Sequence, residues 1–105
     1  MIITVVALPA AAYGEAADSK ALFERVAPRF QEIPGLQRKY FVRGDHSGGV
    51  YVWEDRAAAE RYLDEAWSAR MATSYGGRPL VTYLDVPCVV DNGTGDITFP
   101  DQEPN

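Results

Sequence analysis

Between Gly48 and Trp67 the chain reads GGVYVWEDRAAAERYLDEAW, and within one residue its pattern changes from large β-branched and aromatic side chains to a helical repeat. Val50, Tyr51, Val52 and Trp53 suit a strand, and Asp55 suits a helix N-cap. From Ala58 onward the apolar positions fall at Ala59, Tyr62, Leu63, Ala66 and Trp67, one face of a helix. A strand that runs straight into a helix is the unit around which the other segments arrange themselves.

Upstream, Ile2 to Leu8 is apolar, rich in β-branched residues and closed by Pro9, which predicts a buried strand. A loop over 9–17 leads to Asp18 and Ser19, either of which suits the cap of a helix whose core face is Leu22, Phe23, Val26, Phe30 and Ile33. Pro28 interrupts that face at a cost of about 3 kcal/mol, so the helix should kink near Glu24 or start afresh close to Pro28. Pro34 and Gly35 end it, and Leu36 to Arg43 reads as a second strand. The turn GDHSG, residues 44–48, joins that strand to the next as a hairpin.

The second helix is expected to break near Ser68, with Ala69 to Tyr75 as a short extra helix stopped by Gly76 and Gly77. Leu80 to Val90 reads as one long fourth strand. Residues 1–92 make one domain, and the acidic, Gly- and Pro-rich remainder, 93–105, is expected to be flexible or to lie along a partner.

The order strand, helix, strand, strand, helix, strand is the split βαβ arrangement, an α+β, ferredoxin-like sandwich with an antiparallel sheet and helices on one face. Such a sheet normally leaves its other face wet, with apolar and polar residues alternating. Here Ile2, Ile3, Val5 and Val6, then Val50 to Trp53, then Leu80, Val81, Tyr83, Leu84 and Val86 are apolar on both faces. Burying apolar surface is worth about 25 cal/mol per Å², and no third helix is available to cover the open face. A homodimer packed sheet against sheet is therefore expected.

Composition narrows the partners. A net charge of -5 with scattered Lys and Arg argues against nucleic-acid binding, which needs clustered cations. Cys88 is the single cysteine, so neither an internal disulfide nor a cysteine-based zinc site is available, which fits a reducing, cytoplasmic setting. The stretch MIITVVALPAAAYGEA lacks the basic n-region of a signal peptide, since Lys20 is the first cation, and its apolar run is too short to span a bilayer.

Several chemistries have no motif in the chain: there is no GxGxxG, Walker A loop, HExxH, EF-hand loop or GxSxG elbow. No metal site is expected, and Glu60, Asp64 and Glu65 belong to a solvated helix face. Asn92-Gly93-Thr94 matches a glycosylation acceptor without an export signal to go with it. His46 has the pKa of a base but sits at a Gly-rich hairpin tip, where solvation is the expected role. Surface charge is the expected role for Lys39, Arg43 and Arg78 by residue type, with contact to an anionic substrate at a cavity mouth as the functional alternative.

The segments IPGLQRKY, SGGVYVWEDRAAAERYLDEAW and MATSYGGRPLVTYLDVPCVVDN together resemble the YdhR-like mono-oxygenases of the dimeric α+β barrel superfamily, over about residues 2–92. The resemblance implies a ferredoxin-like subunit, a homodimer of facing sheets, and a ligand cavity between each sheet and its helices. It also implies oxidation of a small aromatic or polyketide-like molecule without metal, flavin or haem, hence no cofactor. A non-catalytic binding or stress-associated domain and a polyketide cyclase or isomerase are the alternatives on the same cavity.

Oxygenation of this kind needs an apolar cavity, a base and donors for the developing anion. Trp67, the position most similar to the superfamily's site tryptophan, together with Tyr51 and Lys39, are the expected catalytic residues. Tyr40, Trp53, Tyr62, Met71, Tyr75 and Arg78 are expected to bind substrate. Tyr51 and Trp53 share one strand face, and the sequence leaves open whether that face meets the cavity or the dimer partner.

Overall fold

The computed structural model describes residues 1–14 and 16–101, with backbone alone at 16–18. Strand β1 (Ile2–Leu8) is followed by helix α1 (Ala16–Val26), strands β2 (Leu36–Val42) and β3 (Ser47–Trp53), helices α2 (Arg56–Tyr62) and α3 (Glu65–Tyr75), and strand β4 (Leu80–Asp85). The sheet runs β2-β3-β1-β4 with every neighbouring pair antiparallel. This is the ferredoxin-like α+β architecture that the order of elements predicts.

One face of the sheet carries the helices. Along β1, Ile2, Thr4, Val6 and Leu8 are buried while Ile3, Val5 and Ala7 are half-buried on the other side, as a period of two requires. The core joins Ile2, Val6, Tyr51 and Trp53 from the sheet to Ala58, Ala59 and Trp67 from the helices. Gly48, paired with Ala7 across β1 and β3, has no room for a side chain: its φ is +150°, and a Cβ there would stand 1.8 Å from the Val6 carbonyl oxygen.

A β-bulge sets which residues of β2 face the helices. Leu36 pairs with Trp53 and Arg38 with Val52, so Gln37 is one residue more than β3 supplies. The parity of the strand therefore flips after Leu36. Leu36 packs on the core, and beyond the bulge Lys39 stands opposite Tyr51 and Phe41 opposite Gly49. Arg38 and Tyr40 are turned to the open face.

Pro28 has the effect expected of it. Helix α1 ends at Val26, and a 3-10 segment with proline in its first positions takes over from Ala27 to Glu32. Asp18 and Ser19, read as caps, lie inside α1, which already begins at Ala16. Asp55 does cap α2, its Oδ1 accepting from the Ala58 N–H at 2.8 Å.

The break in the second helical region comes at Leu63, five residues before the expected Ser68. Asp64 starts a new helix there, accepting from the Trp67 N–H at 2.8 Å, a cap hidden from the sequence reading by the continuous apolar face. Gly76, at φ +82°, closes α3 with its N–H on the Ala72 carbonyl.

The single long strand expected over 80–90 is two. Strand β4 stops at Asp85, ahead of Pro87, which has no N–H to give to a ladder. Strands β5 (Val89–Asp91) and β6 (Asp96–Thr98) then form a separate hairpin, its turn held by Asp91 accepting from Gly93 and Gly95. The segment read as a flexible tail thus contains a strand, and the Met1 ammonium meets Asp101 just beyond it. Its last residues, 102–105, lie outside those described.

Candidate functional site

A cavity of about 360 Å³ opens between the sheet and the helices. Its floor is the helix-facing side of β1, β2 and β3, with Lys39, Phe41, Gly49 and Tyr51 at the centre. The roof is supplied by Phe23 of α1, Phe30 of the 3-10 segment, and Tyr62, Trp67 and Met71 of the second helical region. Tyr13, on the loop after β1, and Tyr75, at the end of α3, line the same space, and their rings meet edge to face at 6.3 Å.

The bulge in β2 brings a half-buried cation into this apolar space. Lys39 Nζ lies 3.5 Å from the centre of the Phe30 ring, 4.0 Å from that of Phe41 and 4.5 Å from that of Tyr51. Among the described residues no carboxylate pairs with it. Burial of the charge lowers its pKa from 10.5 to about 7, against the pull of the ring faces, which favour the ammonium form. The amine is thus a base poised near neutrality.

Room for that side chain comes from Gly49. A Cβ at this position would stand 2.9 Å from Tyr51 Cε1 and 3.1 Å from Lys39 Cε, so a side chain here would press on both the ring and the lysine.

The phenols divide into two kinds. Tyr13 is fixed, its hydroxyl donating to the Gly48 carbonyl at 2.7 Å, and burial with the nearby Tyr75 raises its pKa to about 12. Ser47 Oγ, donating to the Ala10 carbonyl at 2.7 Å, pins the same loop to β3. By contrast, the hydroxyls of Tyr51, Tyr62 and Tyr75 have no hydrogen-bond partner among the described residues. Burial pushes the pKa of Tyr51 and Tyr62 up, so both are O–H donors at any ordinary pH. Donors free at the wall of an apolar cavity are available to a guest.

Six of the nine residues singled out from the sequence line this cavity: Lys39, Tyr51, Tyr62, Trp67, Met71 and Tyr75. The other three do not. Tyr40 is on the open face, 48 % exposed, where its hydroxyl accepts from Arg38 at 3.1 Å. Trp53 has no exposure at all: it stacks on Tyr51 at 5.7 Å and its Nε1–H donates to Thr4 Oγ1 at 3.0 Å, which makes it core. Arg78 is a surface clamp, donating to Glu65 Oε1 at 2.6 Å across the start of α3.

Arg43 likewise stays outside, donating to Ser19 Oγ at 2.6 Å, and His46 is exposed in the hairpin turn. Sequence reasoning missed Tyr13, which sits in a loop of small residues, and treated Phe23 and Phe30 as packing alone. It also missed two arginines of the lining, Arg29 and Arg70, both exposed and therefore at the cavity mouth.

Among the described residues no three His, Cys, Asp or Glu side chains gather where they could hold a metal ion, and no helix is long and apolar enough to cross a membrane. No protein-family model matches the chain, and no curated protein in the comparison matches it. Among solved structures the chain is similar to SnoaB, a cofactor-independent oxygenase from Streptomyces nogalater, with a TM-score of 0.49 and 24% identity over 78% of this chain and 86% of that one.

Proposed function

We propose that this protein takes a small planar aromatic molecule into the cavity beneath its helices and oxidises it with dioxygen, without metal, flavin or haem. The observation that carries the reading is Lys39: an amine with no acidic partner among the described residues, surrounded by rings, with a pKa of about 7. It is a general base in the place where such chemistry needs one.

On an anthrone or quinol the step balances without a further reductant. Lys39 Nζ takes the proton of the acidic C–H or O–H, and the carbanion or phenolate passes one electron to O₂. The radical pair joins as a peroxide, which takes a proton. Loss of water then leaves a new carbonyl, so that CH₂ and O₂ become C=O and H₂O. Tyr51 and Tyr62 donate hydrogen bonds to the oxygen that gathers charge, and the apolar walls keep water away from it.

Oxygen uptake with 1,8-dihydroxyanthrone tests this directly. One O₂ should be consumed per molecule at a rate well above the spontaneous one, and Lys39→Met should abolish the difference while ring binding persists. Saturable quenching of Trp67 fluorescence with no oxygen uptake would instead make the protein a binding module.

We also infer that two copies pack through the open face of the sheet. In one subunit Ile3, Val5, Val50 and Val52 are only half-buried there, beside exposed Tyr40, Leu80 and Leu84. An apolar surface of that extent on a sheet with helices on one side only is what a second sheet would cover.

A further inference from the structure

The chain carries fifteen acidic residues against ten Lys and Arg, yet among the described residues no carboxylate lines its cavity and three basic side chains do. Lys39 is at the floor, and Arg29 and Arg70 stand exposed at the mouth, one on the 3-10 segment and one on α3. Of the other seven cations, five have a partner among the described residues, and Arg25 and Arg61, which line no part of the cavity, do not. Lys20 pairs with Glu24, Arg56 with Glu60 and Arg78 with Glu65, while Arg38 and Arg43 hydrogen-bond Tyr40 and Ser19. Among the described residues, Lys39, Arg29 and Arg70 have neither an ion pair nor a hydrogen bond.

In a protein of net charge -5, two arginines at the mouth of a single cavity that no described carboxylate lines create a local positive potential inside an acidic molecule, whatever the protonation of Lys39. Arginine at an aromatic-lined mouth offers a planar fork that fits a carboxylate with two parallel hydrogen bonds. We propose that the guest of this cavity is an organic anion: a planar aromatic body that lies among Phe30, Phe41, Tyr51 and Trp67, bearing one carboxylate that Arg29 and Arg70 receive at the entrance. The assignment rests on the cavity reading above and adds the charge of the ligand to it. The ring system reaches Lys39 while the carboxylate stays at the rim, so the amine at the floor is left free to take a proton.

The probe pair is anthracene-9-carboxylate and anthracene-9-carboxamide, of nearly equal size and differing in charge, titrated into the full-length protein at pH 8 and followed by anthracene fluorescence. The carboxylate should bind about tenfold more tightly than the amide, the scale of one or two charge-assisted hydrogen bonds. Its advantage should shrink in 0.5 M salt and fall towards unity in the double variant Arg29→Gln, Arg70→Gln. Both side chains are exposed, so the variant keeps its fold, and its amide affinity should match that of the unaltered protein. Equal binding of the two probes by the unaltered protein overturns the anion assignment and leaves the cavity reading standing. Failure of both to bind at millimolar concentration overturns the two together.

Discussion

Lys39 and Phe30 are in van der Waals contact through a charge and a ring face, 3.5 Å from Nζ to centroid, and no carboxylate among the described residues shares the contact. An ammonium held this way is costly to the fold. Its pKa is about 7 folded against 10.5 unfolded, so between those values the unfolded chain binds the extra proton and stability rises with pH. Below pH 7 both states are protonated and the contribution is flat. The groups around it, Tyr13, Tyr51 and Tyr62, have raised pKa values and act in the opposite sense only above pH 10. Urea midpoints of the unaltered protein should therefore climb from pH 7 to pH 9. Lys39→Met should be more stable at pH 7 and lose most of that slope.

Gly49→Ala should displace the lysine without replacing it. The added methyl group meets Tyr51 Cε1 and Lys39 Cε at 2.9 and 3.1 Å, so the Tyr51 ring must shift and the flexible chain of the lysine swings away. Overpacking costs about 1–3 kcal/mol, with the low end expected where a long side chain can swing away. The specific sign is a loss of the pH slope just described, measured by the same denaturation series.

Thr4→Val tests the one hydrogen bond of the tryptophan in the core. The substitution keeps the volume but strands the Trp53 indole N–H, fully buried, without its acceptor at 3.0 Å. A buried unpaired donor costs about 1–3 kcal/mol. Thr4→Ser should recover much of that in urea denaturation, with an unchanged slope against denaturant showing that the fold is the same.

Asp64→Ala should loosen the roof. Its carboxylate caps α3 and sits three residues before Trp67, so its loss should cost about 1 kcal/mol and weaken the binding of aromatic ligands more than Asp55→Ala does. Thermal unfolding and fluorescence titration of the two variants make the comparison.

Val50→Lys addresses the open face. Val50 lies opposite Val5 and Tyr40 in the sheet and is only half-buried in a single subunit. Light scattering at micromolar concentration should give the mass of two chains for the unaltered protein and one for the variant, with the circular dichroism unchanged. A single-chain mass for both would remove the sheet-to-sheet pairing.

What the sequence discloses and what it conceals follow from the range of the interactions involved. The bounds of β1, the Asp55 cap and the order of elements depend on neighbours within a turn or two, and are readable. Which side of β2 meets the helices depends on one extra residue, Gln37, whose effect is visible only in its pairing with β3. Lys39 and Tyr40 are adjacent and both suit a site by type, yet the bulge sends them to opposite faces. Trp53 looked as available as Tyr51 because the two share a face, but the Thr4 acceptor and the stacking beneath it come from long-range contacts. Tyr13 gave no local signal, since its role depends on a bond to Gly48, thirty-five residues away.

The interruption at Leu63 has a consequence for how this molecule can change over evolutionary time. Because α3 begins with its own aspartate and ends on its own glycine, the rod that holds Trp67, Arg70, Met71 and Tyr75 is a replaceable part. Substitutions along it would alter the size and charge of the admitted guest, while the β-strands below, with their lysine, would go on as before.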